Sequence, residues 1–378
     1  MRKRSSGRFR LAAMLLIFFA CAFLLPASRT GDGRLYLLAA AVPAVMLILL
    51  FFPGGTLFLD RPSLSAALIL CGFSILAPAA VLPDEALSQG MRCIAALFFL
   101  VAGIVLVRAF RPSFPASLLV AFIALGMLSV PLWLPSFSFS LAEGGTALLL
   151  FAVAAFLSLH LCLPALVSSL AGLVLLLLQH DPAAASAWCV ASVLVFWAVS
   201  GSALWSGISL VASGGMFAAC LLFAPHLIPF SAFSSESPLF PRLAAMQIIP
   251  PDTFPESAEA SDSLFFLLGD HYGLLFLLFA LLLFVLFLLR GTSLALHTRK
   301  SFHAAVALGV VLLFGLRALL FLASVMNWVP AYTVDFPMMT ASFPSLGAQF
   351  FLIGLLSGIS ARNEADLEED ARLAMLAH

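Results

Sequence analysis

The sequence predicts an all-α, polytopic membrane protein, and three observations predict it. Of its 378 residues, 63% are hydrophobic and only 10% charged, a balance foreign to soluble domains of this size. Apolar runs of spanning length, about 17–25 residues, recur along the chain. The basic residues are partitioned between alternate connections. With the N-terminus in the cytoplasm, Arg2, Lys3, Arg4, Arg8, Arg10, Arg61, Arg108, Arg111, Arg290, Arg299, Lys300, Arg362 and Arg372 lie on the cytoplasmic side. Against them stand Arg29, Arg34 and Arg242 outside, with Arg92 and Arg317 inside spans. This is the positive-inside pattern, and it places both termini in the cytoplasm.

Cut by apolar runs, the chain has twelve spans, near 11–27, 35–52, 64–83, 88–108, 114–134, 143–160, 163–179, 183–200, 203–224, 263–289, 302–327 and 344–360. The opening MRKRSSGRFR, followed by LAAMLLIFFACAFLLPAS, resembles a signal peptide. Its long apolar run and the closely following second span make it an uncleaved first helix. Between 141 and 200 the helices are short and the turns only a few residues long. Residues 225–262 form one long extracellular loop, rich in acids and prolines, and Arg242 is its single basic residue. Long loops of this kind are usually functional or disordered. After Leu289 the chain returns to the membrane twice and ends in an acidic cytoplasmic tail, 362–378, expected as a short solvated helix.

The six cysteines stand singly in apolar runs without CxxC spacing, as small core residues rather than ligands or disulfides. His180 and His226 are single outer histidines and make no metal site. There is no Walker loop, HExxH or GxSxG, so ATP-driven transport by this chain alone is not expected, and neither is nucleic acid as a partner.

The stretch PESAEASDSLFFLLGDHYG, Pro255 to Gly273, concentrates the unusual chemistry. Asp262 ends the acidic loop where an apolar run, unbroken to Leu289, begins. Asp270 lies about two turns further on, with His271 beside it. Ionisable groups inside a bilayer are costly and are functional candidates by default. Asp262 also suits the N-cap of the helix it precedes. Arg317 and Asp270 are candidates to pair across helices, which would lower the cost of each.

From about Leu64 onward the chain resembles the SEDS family of shape, elongation, division and sporulation proteins. The family's TDFIFAVIGEELG aligns without gaps to SDSLFFLLGDHYG, residues 261–273, with Asp262 on its aspartate. Its GLLPVTGIPLPF aligns to NWVPAYTVDFPM, residues 327–338, keeping Pro330 and Pro337. QPDLGTA is similar to QHDPAAA, residues 179–185, keeping Gln179 and Asp181; FQPSELAK is weakly similar to FSLAEGGT, residues 139–146, keeping Glu143. The departures are several. The motif's Lys falls at Thr146, the paired Glu of the eighth helix becomes Asp270 and His271, SYGGSS becomes TASFPS, and a Gln of the ninth helix becomes Arg317.

The resemblance implies a ten-helix core over 64–361, with residues 1–63 adding a basic segment and two extra helices. It implies a peptidoglycan glycosyltransferase of the bacterial cytoplasmic membrane. Such an enzyme polymerises lipid II, the undecaprenyl-pyrophosphate-linked disaccharide-peptide, at the outer leaflet during cell-wall synthesis in growth, division or sporulation. A class B penicillin-binding protein is the implied partner. Asp262 is the implied general base, an effect typically worth ~10²–10⁴-fold. The pyrophosphate leaving group needs positive charge; Arg242 is the first candidate, with Arg92 and Arg317 behind it. Glu143, Asp181 and Gln179 are candidate substrate-binding residues. A divalent cation such as Mg²⁺ can supply the same charge, although no carboxylate spacing here defines a metal site. Two other readings compete: a transporter or flippase of a lipid-linked sugar, marked by repeats and broken helices, and a non-catalytic scaffold of the same family.

Overall fold

The computed structural model describes residues 2–51, 61–79, 82–134, 141–223, 263–326, 328–329 and 334–376. The described residues form thirteen helices. They are α1 (Arg2–Thr30), α2 (Gly33–Phe51), α3 (Arg61–Ala79), α4 (Pro83–Ala109), α5 (Phe114–Trp133), α6 (Ala142–Ser158) and α7 (Cys162–Leu178). After them come α8 (Pro182–Ser200), α9 (Ala203–Phe223), α10 (Leu264–Tyr272), α11 (Leu274–His297), α12 (Ser301–Val325) and α13 (Phe343–Leu376). Eight are long and apolar enough to cross a bilayer, and four shorter apolar helices lie at 13–28, 33–49, 142–158 and 162–178. They overlap the expected apolar runs, with the run expected at 263–289 shared between two helices.

Two departures concern helix continuity. The run expected to be unbroken from Asp262 to Leu289 is divided at Gly273, which takes φ 88° and ψ 165°. Those angles are readily open only to a residue without a Cβ. Asp270 and His271 therefore sit in the last turn of a short helix rather than inside a long one. At the other end of the chain, the tail does not form a separate short helix. It continues α13 without a break over 34 residues, held beside the α11–α12 connection by Lys300–Asp366 (2.8 Å) and Asn363–Thr298 (2.8 Å).

The bundle is centred on α6, where every residue from Leu149 to Leu157 is buried. Around it, α4 and α13 run side by side in the same direction, backbone against backbone. A Cβ at Gly354 would meet the Leu100 carbonyl oxygen, and one at Gly103 the Phe351 carbonyl oxygen. Such small-residue seams hold membrane helices together where lipid and side chain are equally apolar. The α1–α2 pair packs on α3 through Phe18 and Phe19, whose rings lie 6.1 and 5.9 Å from that of Phe73.

The helix connections follow from local chemistry. His180 has φ 57°; its N–H bonds to the Leu177 carbonyl and that of Asp181 to Leu176, a left-handed helix stop. Asp181 then caps α8, its carboxylate accepting from Ala184 N–H at 2.9 Å, with Pro182 in the first turn where its missing N–H costs nothing. One tripeptide thus ends α7 and starts α8.

Candidate functional site

The ends of the bundle differ. Arg108, Arg111, Arg299, Lys300 and Arg362 gather at one end, where α4 and α11 finish and α5 and α12 begin. At the opposite end, a polar cavity of about 230 Å³ opens into the apolar bundle, lined by Glu143, Asp181, Arg317, Asp335, Thr340, Ser342, Ser345 and Gln349 among others. The N-terminal turns of α6, α8 and α13 supply Glu143, the α8 cap and Ser345, and the last third of α12 supplies Arg317. Three helix N-termini and one guanidinium face the cavity, and the carboxylates of Glu143, Asp181 and Asp335 offset their positive charge.

The centre of the cavity is an ion pair. Arg317 donates to Glu143 Oε2 at 2.6 Å, with side chains 24% and 22% exposed. Ser345 donates to the same oxygen at 2.7 Å, and Gln349 Nε2 donates to Ser345 Oγ at 3.1 Å. The Gln349 carbonyl in turn accepts from the backbone N–H of Met338. A continuous series of hydrogen bonds so joins the ion pair to the segment 334–342, which is irregular backbone packed into the protein. At membrane depth such backbone persists only where protein satisfies its polar groups. Gln89 of α4 donates to the Thr340 carbonyl (2.8 Å) and Arg92 to the Ala341 carbonyl (2.9 Å). The Met339 N–H bonds to the Phe336 carbonyl (3.0 Å). With Pro337 second in that turn and Met338 third at φ 67°, this is a type II turn carried without glycine.

Asp335 stands at the cavity mouth and accepts from Thr340 Oγ1 at 2.7 Å. Asp335 is exposed to solvent there.

The sequence-derived candidates divide as follows. Glu143 and Asp181, from two separate motifs, meet in one cavity. Arg317 joins them: its partner is Glu143 rather than Asp270. Gln179 is not among the lining residues; its amide donates to the Leu128 carbonyl at 2.6 Å and ties α7 to α5. Asp270 is half-buried and His271 buried, at the end of α10. Arg92 is committed to Ala341 and to Glu85 at 3.2 Å. Asp262 and Arg242 lie outside the described residues. The N-cap position expected for Asp262 falls instead on Ser263, whose carbonyl accepts the first α10 bonds from Phe266 and Leu267. α10 reaches the cavity segment through Phe265, whose ring lies 4.7 Å from that of Phe336, next to Asp335. Asp335, Ser345 and Gln349 were missed; the buried polar spacing Ser345–Gln349, one helical turn apart, was the available signal. Among the described residues no three His, Cys, Asp or Glu stand together in a group able to hold a metal ion.

Fold and cavity define an all-helical, multi-pass membrane protein with a charged chamber between the ends of its helices. A family model described as "Cell cycle protein" matches residues 252–365, which carry α10 to α12, the segment 334–342 and the first two thirds of α13. Peptidoglycan glycosyltransferase RodA of Mycobacterium bovis is 29% identical over 110 residues, covering 29% of this chain and 23% of that protein. Probable peptidoglycan glycosyltransferase FtsW of Geobacter metallireducens is 26% identical over 102 residues, 27% of each. The matched stretch thus spans about a quarter of the length of these curated relatives. In three dimensions the chain is similar to one in a solved structure described as "Structural coordination of polymerization and crosslinking by a peptidoglycan synthase complex". The TM-score is 0.59 at 20% identity, over 81% of this chain and 98% of that one. It is likewise similar to an aspartate-to-alanine mutant of the Thermus thermophilus rod shape determining protein RodA, with TM-score 0.58 and 17% identity over 80% and 98%. The chain is thus similar to these proteins over residues 252–365 and shares their fold.

Proposed function

We propose that this protein is a peptidoglycan glycosyltransferase that polymerises lipid II at the outer leaflet of the bacterial cytoplasmic membrane. The observation that supports the reading is the chamber itself: a guanidinium, three carboxylates and three helix N-termini converge in an otherwise apolar bundle, at the end opposite the basic residues. The positive-inside rule turns that end outward, where the sugars of a lipid-linked substrate lie. Both termini are then cytoplasmic, residues 64–361 form the core, and 1–63 add two helices to it.

In this reading Asp262 takes the proton of the acceptor sugar's hydroxyl as its oxygen attacks the donor's anomeric carbon. The bond from that carbon to the pyrophosphate breaks, and the undecaprenyl pyrophosphate leaves with the electron pair. Arg317 replaces Arg242 as the residue assigned to the departing charge, because it stands in the chamber. Glu143 orients it, and Asp181 and Ser345 line the path. Mg²⁺, if bound by outer acids, would supply the same positive charge. A class B penicillin-binding protein that crosslinks the new strands is the partner this reading needs.

The test is purified protein with labelled lipid II, with and without such a partner. Wild type should yield polymer. Asp262→Asn removes the proton acceptor and should lower the rate by ~10²-fold or more while leaving the fold intact. Polymer made by Asp262→Asn at the wild-type rate would end the base assignment. The division of one span into α10 and α11 is the observation that favours a transporter of a lipid-linked sugar; translocation of lipid II without polymer would establish that reading. Neither activity, with the partner present, would leave the scaffold.

A further inference from the structure

The cysteines were expected to be isolated core residues, and two of them are not. Cys71 of α3 and Cys93 of α4 face each other with their sulfurs 2.8 Å apart, both buried. That is closer than unbonded sulfurs ordinarily come, and within about an ångström of a covalent S–S bond. Both line an apolar cavity of about 160 Å³ between α2, α3 and α4. Leu37, Met91 and Ile94 also line it and are exposed on the outside of the bundle. The way to the thiols therefore leads through hydrocarbon and not through water. On the protein side, Ser74 lies 4.0 Å from the Cys93 sulfur and accepts from Gln89 Nε2 at 3.4 Å. The same Gln89 amide holds the Thr340 carbonyl of the segment beside the polar chamber.

We propose that Cys71 and Cys93 form a redox modification site, a dithiol oxidised to an intramolecular disulfide by a lipid-dissolved oxidant of the quinone class. Two S–H bonds break and one S–S bond forms. Two electrons and two protons pass to the quinone, which leaves as the hydroquinone. A quinone fits the access route, being flat, apolar and a two-electron acceptor, whereas a charged aqueous oxidant does not. The bridge ties α3 to α4 one turn from Gln89, and through Gln89 it bears on the segment 334–342. The site is independent of which reaction the chamber performs.

Full-length protein in phospholipid vesicles is treated with decylubiquinone or with oxidised glutathione, then denatured and alkylated. Of the six cysteines, the quinone should remove two from alkylation, and mass spectrometry should find the Cys71 and Cys93 peptides joined and two hydrogens lighter. Glutathione should leave all six reactive. Cys93→Ser should lose no thiol to the quinone. All six thiols still reactive after decylubiquinone, or a joined pair other than Cys71 with Cys93, overturns the proposal. Equal oxidation by glutathione overturns the hydrocarbon route. The peptide readout is made on the wild type, so it holds whether or not the variant folds.

Discussion

Two ion pairs tie α12 and its leading turn to the rest of the bundle, one near each end, and they are chemically alike and physically different. Arg317–Glu143 lies in the polar chamber, 2.6 Å long with side chains 24% and 22% exposed. Lys300–Asp366 lies at the basic end, 2.8 Å long and 52% and 36% exposed. In the chamber the carboxylate accepts twice and is continued by Ser345 and Gln349 to the backbone of Met338. At the basic end water can replace either partner. The two pairs differ in exposure and in what continues them: one is half-enclosed and bonded onward, the other stands in reach of water.

The largest effect should come from Glu143→Gln, which leaves the Arg317 guanidinium in the bundle without its carboxylate. Full burial would make such a change cost 3–5 kcal/mol; partial exposure reduces this to about 2–3 kcal/mol. Thermal unfolding in detergent should show that loss, and the double variant Glu143→Gln, Arg317→Gln should regain most of it. A Glu143→Gln protein as stable as wild type would remove the distinction between the two pairs.

Gln349→Ala sharpens the comparison by leaving the pair and cutting what it is tied to. It removes the acceptor of the Met338 N–H and the donor to Ser345, and about 1–3 kcal/mol should go with them. Hydrogen exchange at Met338 should accelerate; an unchanged rate would mean that the turn holds itself. The smallest effect belongs to Lys300→Ala, about 0–1 kcal/mol and shrinking with added salt. A salt-independent loss above that range would show the basic end to be built like the chamber.

Much of this molecule was legible before any coordinates. Spans are legible because a bilayer imposes length and apolarity on each segment separately. The break at Gly273 was not, since one glycine in a helical run costs only about 1 kcal/mol and packing against neighbours decides whether the helix continues. Glu143 and Asp181 could be named from motif positions, but their meeting with Arg317 joins residues up to 174 positions apart. Asp335, Ser345 and Gln349 sit where this chain departs from, or follows just after, the family's motifs, so the resemblance that located Glu143 was silent about them. Cys71 and Cys93 have no spacing that betrays them, because their proximity comes from the register of α3 against α4.

The continuity of α13 has a consequence for the surrounding lipid. One rigid rod carries Ser345 in the chamber and Asp366 against Lys300, and the 21 residue steps from one to the other make a length of about 32 Å. The hydrocarbon layer it crosses is about 30 Å thick. A helix cannot shorten, so a thinner bilayer is met by tilt. Through α13 the Ser345 contact in the chamber and the Asp366 contact at the basic end are therefore held at one fixed spacing, set by the helix rise and not by the lipid.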